Sequence, residues 1–209
     1  MSELLQDIYD DILDWCRGRF WLVRLLLLIF FAYLLIRHLG NAEYNSIFGG
    51  LNLGIHELGH IVFMPFGEFI MIAGGTILQC LVPIISIGIF YNQRDYFAIA
   101  VSFGWLSTNL FSVATYLGDA RNMALPLVTP FGGEEIIHDW NYLLGKLGLL
   151  KFDGTIAFLV RVGAVICMLI CLIYGGWIIM QMMKSPNKRS IEEDIAKTPS
   201  FSSDKNQFE

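Results

Sequence analysis

Long apolar segments constrain the fold of this chain more than any other feature. Of its 209 residues, 55% are hydrophobic, and a helix needs about 20 predominantly apolar residues to cross a bilayer. Because backbone polar groups in lipid must be paired within the protein, such segments predict membrane-spanning helices. We expect the spans at Phe20–Arg37, Asn45–Phe66, Phe69–Tyr91, Tyr96–Leu117 and Thr155–Met183. The sequence therefore predicts an all-α, polytopic transmembrane helix bundle with about five spans.

The segments between and beside these spans divide the chain into one membrane domain and two flanks. Residues 1–19 space leucine and isoleucine among acids, which predicts an amphipathic leader on the membrane surface, with a frayed polar leader as the alternative. Residues 20–183 form the membrane domain, in which residues 118–153 are a juxtamembrane insert with two prolines and a Gly-Gly pair. Residues 184–209 are polar and predict a disordered tail.

Charge excludes one class of partner and gives a weak signal for orientation. The net charge is −5 and no dense basic patch occurs, so the sequence predicts no nucleic-acid partner. Lys184, Lys188 and Arg189 follow the last span and favour a cytoplasmic C-terminus. Five crossings would then place the N-terminal flank outside, whereas Arg17 and Arg19 favour the cytoplasmic side for it too.

Ionisable side chains interrupt the second apolar segment at "GIHELGHIVF". His56 and His60 are four residues apart, so on a helix both imidazoles can bind one zinc ion, with Glu57 placed to act on a metal-bound water. A charged side chain at mid-membrane costs roughly 2.5 to 3.5 kcal/mol, so three ionisable groups there need a functional reason. The alternative is an interfacial or re-entrant helix whose polar groups are hydrated.

Glycines surround this motif and predict close helix packing. Small residues let membrane helices approach each other, and Pro65 ends or kinks the helix one turn beyond His60. The glycines concerned are Gly50 and Gly54 before the motif, Gly59 within it, and Gly67, Gly74 and Gly75 after it.

A catalytic zinc ion needs a third protein ligand, with one position left for water. Asp119 is our preferred candidate because it closes the fourth span beside the membrane. His138 and Asp139 in the insert are the alternative pair, although "HDW" also suits an interfacial anchor. His138 has a second possible role, as a stabiliser of the oxyanion. Glu68 is close in sequence but begins the next span.

Three stretches carry a family resemblance: "HELGHIVF", "MIAGGTILQCLVP" and "NLFSVATYLGDARN". Over Asn45–Asn122 the chain resembles the site-2 protease family of intramembrane zinc metalloproteases, the M50-like group, and most of all its compact bacterial members. The resemblance implies that His56, His60 and Asp119 hold the zinc ion and that Glu57 is the general base. It also implies a multi-pass protein of the bacterial inner membrane that lacks a PDZ-like domain.

The sequence therefore predicts a zinc metalloendopeptidase that cleaves transmembrane segments of other proteins in the lipid bilayer. One departure from the family pattern is that no proline lies between Asn109 and Asp119, and Ala120 follows where the family has glycine. The main alternative is a catalytically inactive zinc-binding scaffold or binding protein. A metal-dependent oxidase usually needs more than the four histidines present, and the lack of visible repeats disfavours a transporter.

Overall fold

The computed structural model describes residues 3–125 and 138–185, and these residues form helices joined by short connections. The α-helices are α1 Glu3–Cys16, α2 Leu22–Gly40, α3 Gly49–Phe63, α4 Glu68–Asn92, α5 Tyr96–Gly118, α6 Asp139–Lys146 and α7 Asp153–Lys184. Single turns of 3-10 helix at Met64–Phe66 and Leu150–Phe152 precede α4 and α7. The described residues contain no β-strand, and the predicted all-α class is confirmed.

Each of the five predicted apolar segments contains one α-helix of at least 15 residues. Of these, α2, α4, α5 and α7 are long and apolar enough to cross a membrane. Many of their outward side chains are apolar and exposed, such as Leu26, Ile84 and Ile173, as expected for contact with lipid. Helix α3, in the second predicted segment, is shorter and has 15 residues. The 3-10 turn that contains Pro65 ends it. The protein is therefore a membrane-embedded helical bundle.

Helix α5 is the central helix of the bundle, packed against α4 on one side and α7 on the other. A Cβ atom on Gly104 of α5 would lie 2.6 Å from the ring of Phe31 in α2, so the glycine lets that ring approach the α5 backbone. Ser107 of α5 donates a hydrogen bond to the Ala164 carbonyl of α7 at 2.7 Å. These contacts fix α5 as the scaffold for the polar residues described below.

Helices α3 and α4 form an antiparallel pair whose backbones touch. A Cβ atom on Gly59 would lie 2.2 Å from the carbonyl oxygen of Gly74, so neither helix tolerates a side chain at this crossing. The chain reverses between them at Gly67, where φ is +90°, a conformation that glycine adopts readily. Gly50 and Gly54, by contrast, face open space. The close approach therefore depends on the glycine inside the histidine motif.

The flanks of the membrane domain are partly described. Residues 3–16 form α1, which buries Ile12 and Cys16 against the bundle. The insert at residues 118–153 contains α6 and the second 3-10 turn, whereas residues 126–137 lie outside the described part. The predicted disordered tail also lies outside it, apart from Lys184 and Ser185.

Candidate metal centre

His56 and His60 lie on consecutive turns of α3, and both rings meet the carboxylate of Asp139. His56 Nε2 lies 2.9 Å from Asp139 Oδ2, and His60 Nε2 lies 3.3 Å from the same oxygen. His56 and Asp139 are each 7% exposed. The predicted juxtaposition of the two imidazoles is therefore present, and a residue from the distant insert completes a three-residue cluster.

The other nitrogen of each ring is held by a group on α4. His60 Nδ1 donates to the carbonyl oxygen of Met71 at 2.9 Å. His56 Nδ1 lies 3.1 Å from Oε1 of Gln79, an amide that is 5% exposed. The Met71 partner is a backbone carbonyl, so Nδ1 of His60 carries the hydrogen, and the amide oxygen of Gln79 favours the same tautomer of His56. This arrangement leaves the two Nε2 lone pairs directed at Asp139.

Three atoms that carry lone pairs therefore face one another. A neutral imidazole protonated at Nδ1 has no hydrogen on Nε2. Burial raises the pKa of the Asp139 carboxyl, but its contacts with His56 and His60 outweigh burial and hold that pKa below its usual value. The carboxylate is thus ionised, and the cluster has to share a positive charge, either a proton on one ring or a metal ion.

The cluster fits the size and donor chemistry of a metal site. The ligand atoms of His56, His60 and Asp139 all lie within 4.8 Å of one another. Zinc lies about 2.0 to 2.2 Å from nitrogen and oxygen ligands in tetrahedral sites, which separates ligand atoms by about 3.3 Å. A Cβ atom on Gly75 of α4 would lie 2.7 Å from both Nε2 atoms. The glycine therefore keeps the space beside the two nitrogens clear of side chains.

Asp139 reaches the histidines because α6 is docked on the end of α5. The backbone N–H of Asp139 donates to the hydroxyl of Tyr116 at 3.0 Å. Asn141 Nδ2 donates to the Ala120 carbonyl at 2.8 Å. Leu144 of α6 is buried against Leu117 of α5. Two hydrogen bonds and an apolar contact thus orient the first turn of α6 toward α3.

Asp119, our preferred third ligand, is not part of this cluster. Its Oδ1 accepts from the Ala124 backbone N–H at 3.0 Å, and its Oδ2 accepts from that of Leu125 at 2.9 Å. Both oxygens therefore close the turn that follows α5. Among the described residues, the carboxylate that lies beside the two histidines is that of Asp139, and Asp119 as the third ligand stays a prediction. Glu68, at the start of α4, is not in the cluster either.

His138 caps α6 and faces Asp119 instead of the cluster. Its Nδ1 accepts from the Asn141 backbone N–H at 3.3 Å, and its Nε2 lies 3.7 Å from Asp119 Oδ2. The ring is 4% exposed and stacks on Tyr116, with the centroids 4.3 Å apart. Burial lowers the pKa of His138, so the ring is neutral at neutral pH. His138 is therefore not part of the three-residue cluster, and its roles as a ligand or as an oxyanion stabiliser stay predictions.

Glu57 lies on α3 between the two histidines, as the motif predicts, and is half-buried. Its carboxylate lies within electrostatic reach of His60 and of the Tyr116 hydroxyl. Glu57 therefore lies beside the cluster. A carboxylate there can exchange protons with a molecule bound next to the two histidines.

Sequence reasoning missed two residues of the site. Gln79 is the only amide in the apolar stretch "TILQCLVP", and a polar side chain at that depth was a signal that it pairs with something buried. Tyr116 gave no comparable signal, because tyrosine is common near span ends as an interfacial anchor. Its role follows only from the position of α6.

Comparisons with known proteins identify no family for this chain. No protein-family model, curated protein or solved structure matches the chain. The resemblance of "HELGHIVF" and its neighbouring segments to site-2 proteases therefore stays an interpretation of motifs. The features from which a function can be inferred are the cluster of His56, His60 and Asp139 and the apolar helices that hold it.

Proposed function

We propose that the protein is an intramembrane zinc metalloprotease of the site-2 protease type, which hydrolyses peptide bonds of membrane proteins within or near the bilayer. One observation carries the proposal: His56 Nε2, His60 Nε2 and Asp139 Oδ2 converge at an H-E-x-x-H motif. The hydrogen bonds of both Nδ1 atoms match the outer contacts that orient metal-binding histidines. Two imidazoles and one carboxylate form a common ligand set of catalytic zinc.

The chain's own residues divide the reaction between them. Zinc, when bound, supplies the acidity that lowers the pKa of water to about 7 and polarises the substrate carbonyl. Glu57 takes a proton from the attacking water as the new C–O bond forms. Glu57 then gives this proton to the amine nitrogen as the C–N bond breaks. One peptide bond and one water thus yield a carboxyl and an amine group.

Tyr116 is a candidate for stabilising the oxyanion, beside His138, because it contacts the proposed ligand Asp139 directly. The Tyr116 oxygen accepts from the Asp139 backbone N–H, so its own hydrogen points elsewhere and can be donated to a developing negative charge. His138 Nδ1 accepts from the Asn141 backbone N–H, whereas its Nε2 lies 3.7 Å from Asp119 Oδ2 and has no hydrogen-bond partner among the described residues. In this proposal His138 holds the ligand loop and Tyr116 contacts the substrate.

The substrates and the location follow from the surroundings of the site. A helical substrate hides its peptide bonds in its own hydrogen bonds, so hydrolysis requires local unwinding next to a site that water reaches. We therefore propose membrane proteins with a transmembrane segment as substrates, and the bacterial inner membrane as the location, with the C-terminal end of α7 on the cytoplasmic side. The apolar helices α2, α4, α5 and α7 support a location in the bilayer.

The experiment that tests the proposal compares cleavage by the natural chain with cleavage by Glu57→Gln. Purified protein in liposomes is incubated with single-span model substrates whose helices contain Gly, Pro or Asn, and product ends are mapped by mass spectrometry. General acid–base catalysis contributes about 10²- to 10⁴-fold, so Glu57→Gln is expected to lower the rate by that factor while retaining zinc. A zinc chelator should abolish cleavage, and added zinc should restore it.

Glu68→Gln is the matched control, because Glu68 is an exposed glutamate beside the same helix pair and outside the cluster. It is expected to cleave at the rate of the natural chain. If zinc is bound but neither the natural chain nor any variant cleaves a substrate, the protein is a zinc-binding scaffold. Cleavage that survives Glu57→Gln, or cuts confined to soluble segments, would contradict the proposal.

A further inference from the structure

The start of the chain, the turn between α4 and α5, and the end of α7 meet at one end of the bundle. Arg94 Nη1, in that turn, donates to Asp11 Oδ1 of α1 at 2.7 Å, and the Tyr96 hydroxyl also donates to Asp11. Cys16 of α1 lies 3.8 Å from the Ile178 carbonyl near the end of α7. We call this end, defined by Asp11, Arg94 and Ile178, the α1 end.

The opposite end holds the metal centre. The carbonyl of Ala42, just after α2, accepts from Thr115 near the end of α5 at 2.6 Å. Arg121 after α5 forms an ion pair with Asp153 at the start of α7 at 2.8 Å. Helix α6 and Asp139 lie here as well, docked on the end of α5. We call this end, defined by Ala42, Thr115 and Asp153, the site end.

These two ends fix the direction of the helices on either side of α3. Helix α2 runs from the α1 end to the site end, and α4 must finish at the α1 end because Arg94 follows it. Helix α4 therefore starts at the site end, which is also where α2 finishes. Between these points α3 has 15 residues, which span only about 22 Å, less than the roughly 30 Å of a bilayer core.

The connection before α3 carries the chain back into the bundle. Phe48 stacks on Phe31 near the middle of α2, with centroids 6.1 Å apart. Asn52, in the first turn of α3, accepts from Trp105 Nε1 at 3.0 Å and lies 3.5 Å from Thr108 Oγ1, both near the middle of α5. Helix α3 thus begins at mid-depth, and His56 and His60 lie on its way back to the site end.

The non-helical segment 41–48 is partly paired within the protein. Irregular backbone at membrane depth is tolerated only where it is buried in protein or lines a water-filled cavity. The Ala42 carbonyl accepts from Thr115 and Arg161, and side chains of Asn41 and Ser46 accept from nearby backbone N–H groups. A cavity of about 640 Å³ lies against this segment and is also lined by Asp119 and Arg161.

We infer that α3 is a re-entrant helix, so that the chain crosses the membrane four times and the His56–His60–Asp139 centre opens at the face opposite to α1. Helices α2, α4, α5 and α7 are the crossings. Four crossings place α1 and the end of α7 on the same face of the membrane. Both ends can then be cytoplasmic, as their basic residues favour, which five crossings would not allow.

The distribution of basic residues gives the orientation. Lysine and arginine concentrate on the cytoplasmic side of membrane proteins. The basic residues at the α1 end are Arg17, Arg19, Arg24, Arg94 and Lys184, followed in the sequence by Lys188 and Arg189. Those at the site end are Arg37, Arg121, Lys146, Lys151 and Arg161, of which Arg121 is paired with Asp153. The two ends have five basic residues each among the described residues, and Lys188 and Arg189 of the tail raise the number at the α1 end to seven. By this excess we assign the α1 end to the cytoplasm, so that the metal centre opens to the extracytoplasmic face.

If the protein is the protease proposed above, this orientation also predicts which part of a substrate is cleaved. Water reaches His56, His60 and Glu57 from the extracytoplasmic side, so the cleaved bonds lie toward the extracytoplasmic ends of substrate helices. Cleavage releases an extracytoplasmic segment and leaves most of the helix attached to its cytoplasmic part.

Cysteine accessibility in intact cells tests the inference without depending on activity. The four native cysteines are replaced by alanine, and single cysteines are introduced as Glu43→Cys, Glu68→Cys, Arg17→Cys and Gln93→Cys, all at exposed positions. A membrane-impermeant maleimide added outside should label Glu43→Cys and Glu68→Cys, which flank α3. It should label the other two only after the membrane is permeabilised.

Labelling of Glu43→Cys and Glu68→Cys from opposite faces would show that α3 crosses and would overturn the inference. If the cysteine-free chain does not accumulate, the same cysteines are placed in the natural chain, whose own labelling sets the background. Green fluorescent protein fused after the natural C-terminus should fluoresce, since it folds in the cytoplasm, and a dark fusion would overturn the orientation. Loss of Glu57-dependent cleavage, by contrast, would defeat the proposed function and leave this topology intact.

Discussion

Asp139 Oδ2 lies 2.9 Å from His56 Nε2, although 83 residues separate the two in the chain. The histidine lies on an apolar helix, whereas the aspartate lies on a short helix outside the membrane-crossing segments. The contact therefore depends on the docking of α6 on α5 through Tyr116 and Asn141. Each part of this arrangement can be changed separately.

The identity of the third ligand can be tested with two alanine variants. Removing the Asp139 carboxylate leaves only two imidazoles, so Asp139→Ala should weaken zinc binding by more than about 100-fold. Asp119→Ala removes a carboxylate that caps a turn and should weaken binding by less than about 10-fold. Zinc affinity is measured by competition with a chromogenic chelator. Tighter binding by Asp139→Ala than by Asp119→Ala would support Asp119 as the third ligand, as predicted from the sequence.

A single methyl group can fill the space beside the two imidazoles. In Gly75→Ala the new Cβ would lie 2.7 Å from both Nε2 atoms, so we expect zinc content to fall at least about tenfold as the rings are displaced. Gly88→Ala is the matched control, because Gly88 lies on the same helix and faces open space. It should retain one zinc ion per chain by elemental analysis. Equal zinc content in the two variants would place the metal elsewhere.

The hydrogen bond from His56 to Gln79 should tune metal affinity. Gln79→Leu removes the acceptor for Nδ1–H and should weaken zinc binding about 10- to 100-fold. Gln79→Glu keeps an acceptor and should preserve binding better than Gln79→Leu does. Gln93→Leu, at an exposed position just after the same helix, should have no effect on affinity. If Gln79→Leu and Gln93→Leu bind zinc equally, the orientation of His56 does not depend on this contact.

Tyr116→Phe separates the two roles that we assign to this hydroxyl. Without the hydroxyl the Asp139 backbone N–H loses its acceptor, at a cost of about 1 to 3 kcal/mol, which corresponds to about 5- to 160-fold in zinc affinity. If the hydroxyl also stabilises the oxyanion, kcat should fall further at saturating zinc while KM changes little. Tyr91→Phe, at an exposed position, serves as the control. An unchanged kcat at full zinc occupancy would leave Tyr116 with the positioning role alone.

The helices could be predicted from the sequence, because the length of an apolar segment is a local property. Helix α4, for example, extends over Glu68–Asn92, close to the predicted span of residues 69–91. The place of α3 could not be predicted in the same way. Its apolar residues suit a span, and only contacts such as that of Arg94 with Asp11 show where its neighbours begin and end.

The candidate site was predictable where its residues are close in sequence. His56 and His60 follow from helical periodicity alone, and so does the position of Glu57 beside them. The choice between Asp119 and Asp139 instead depends on tertiary structure. Asp119 satisfies its oxygens locally with the backbone of Ala124 and Leu125, an interaction for which the sequence gives no signal.

Helix α6 has eight residues, too few to be stable as an isolated helix. Its structure and its docking on α5 are therefore one event, and the ligand Asp139 is presented only when that event has occurred. Metal binding then stabilises the docked form of α6, and docking of α6 in turn raises the affinity for the metal. A probe of metal occupancy therefore also reports the fraction of molecules in which α6 is docked.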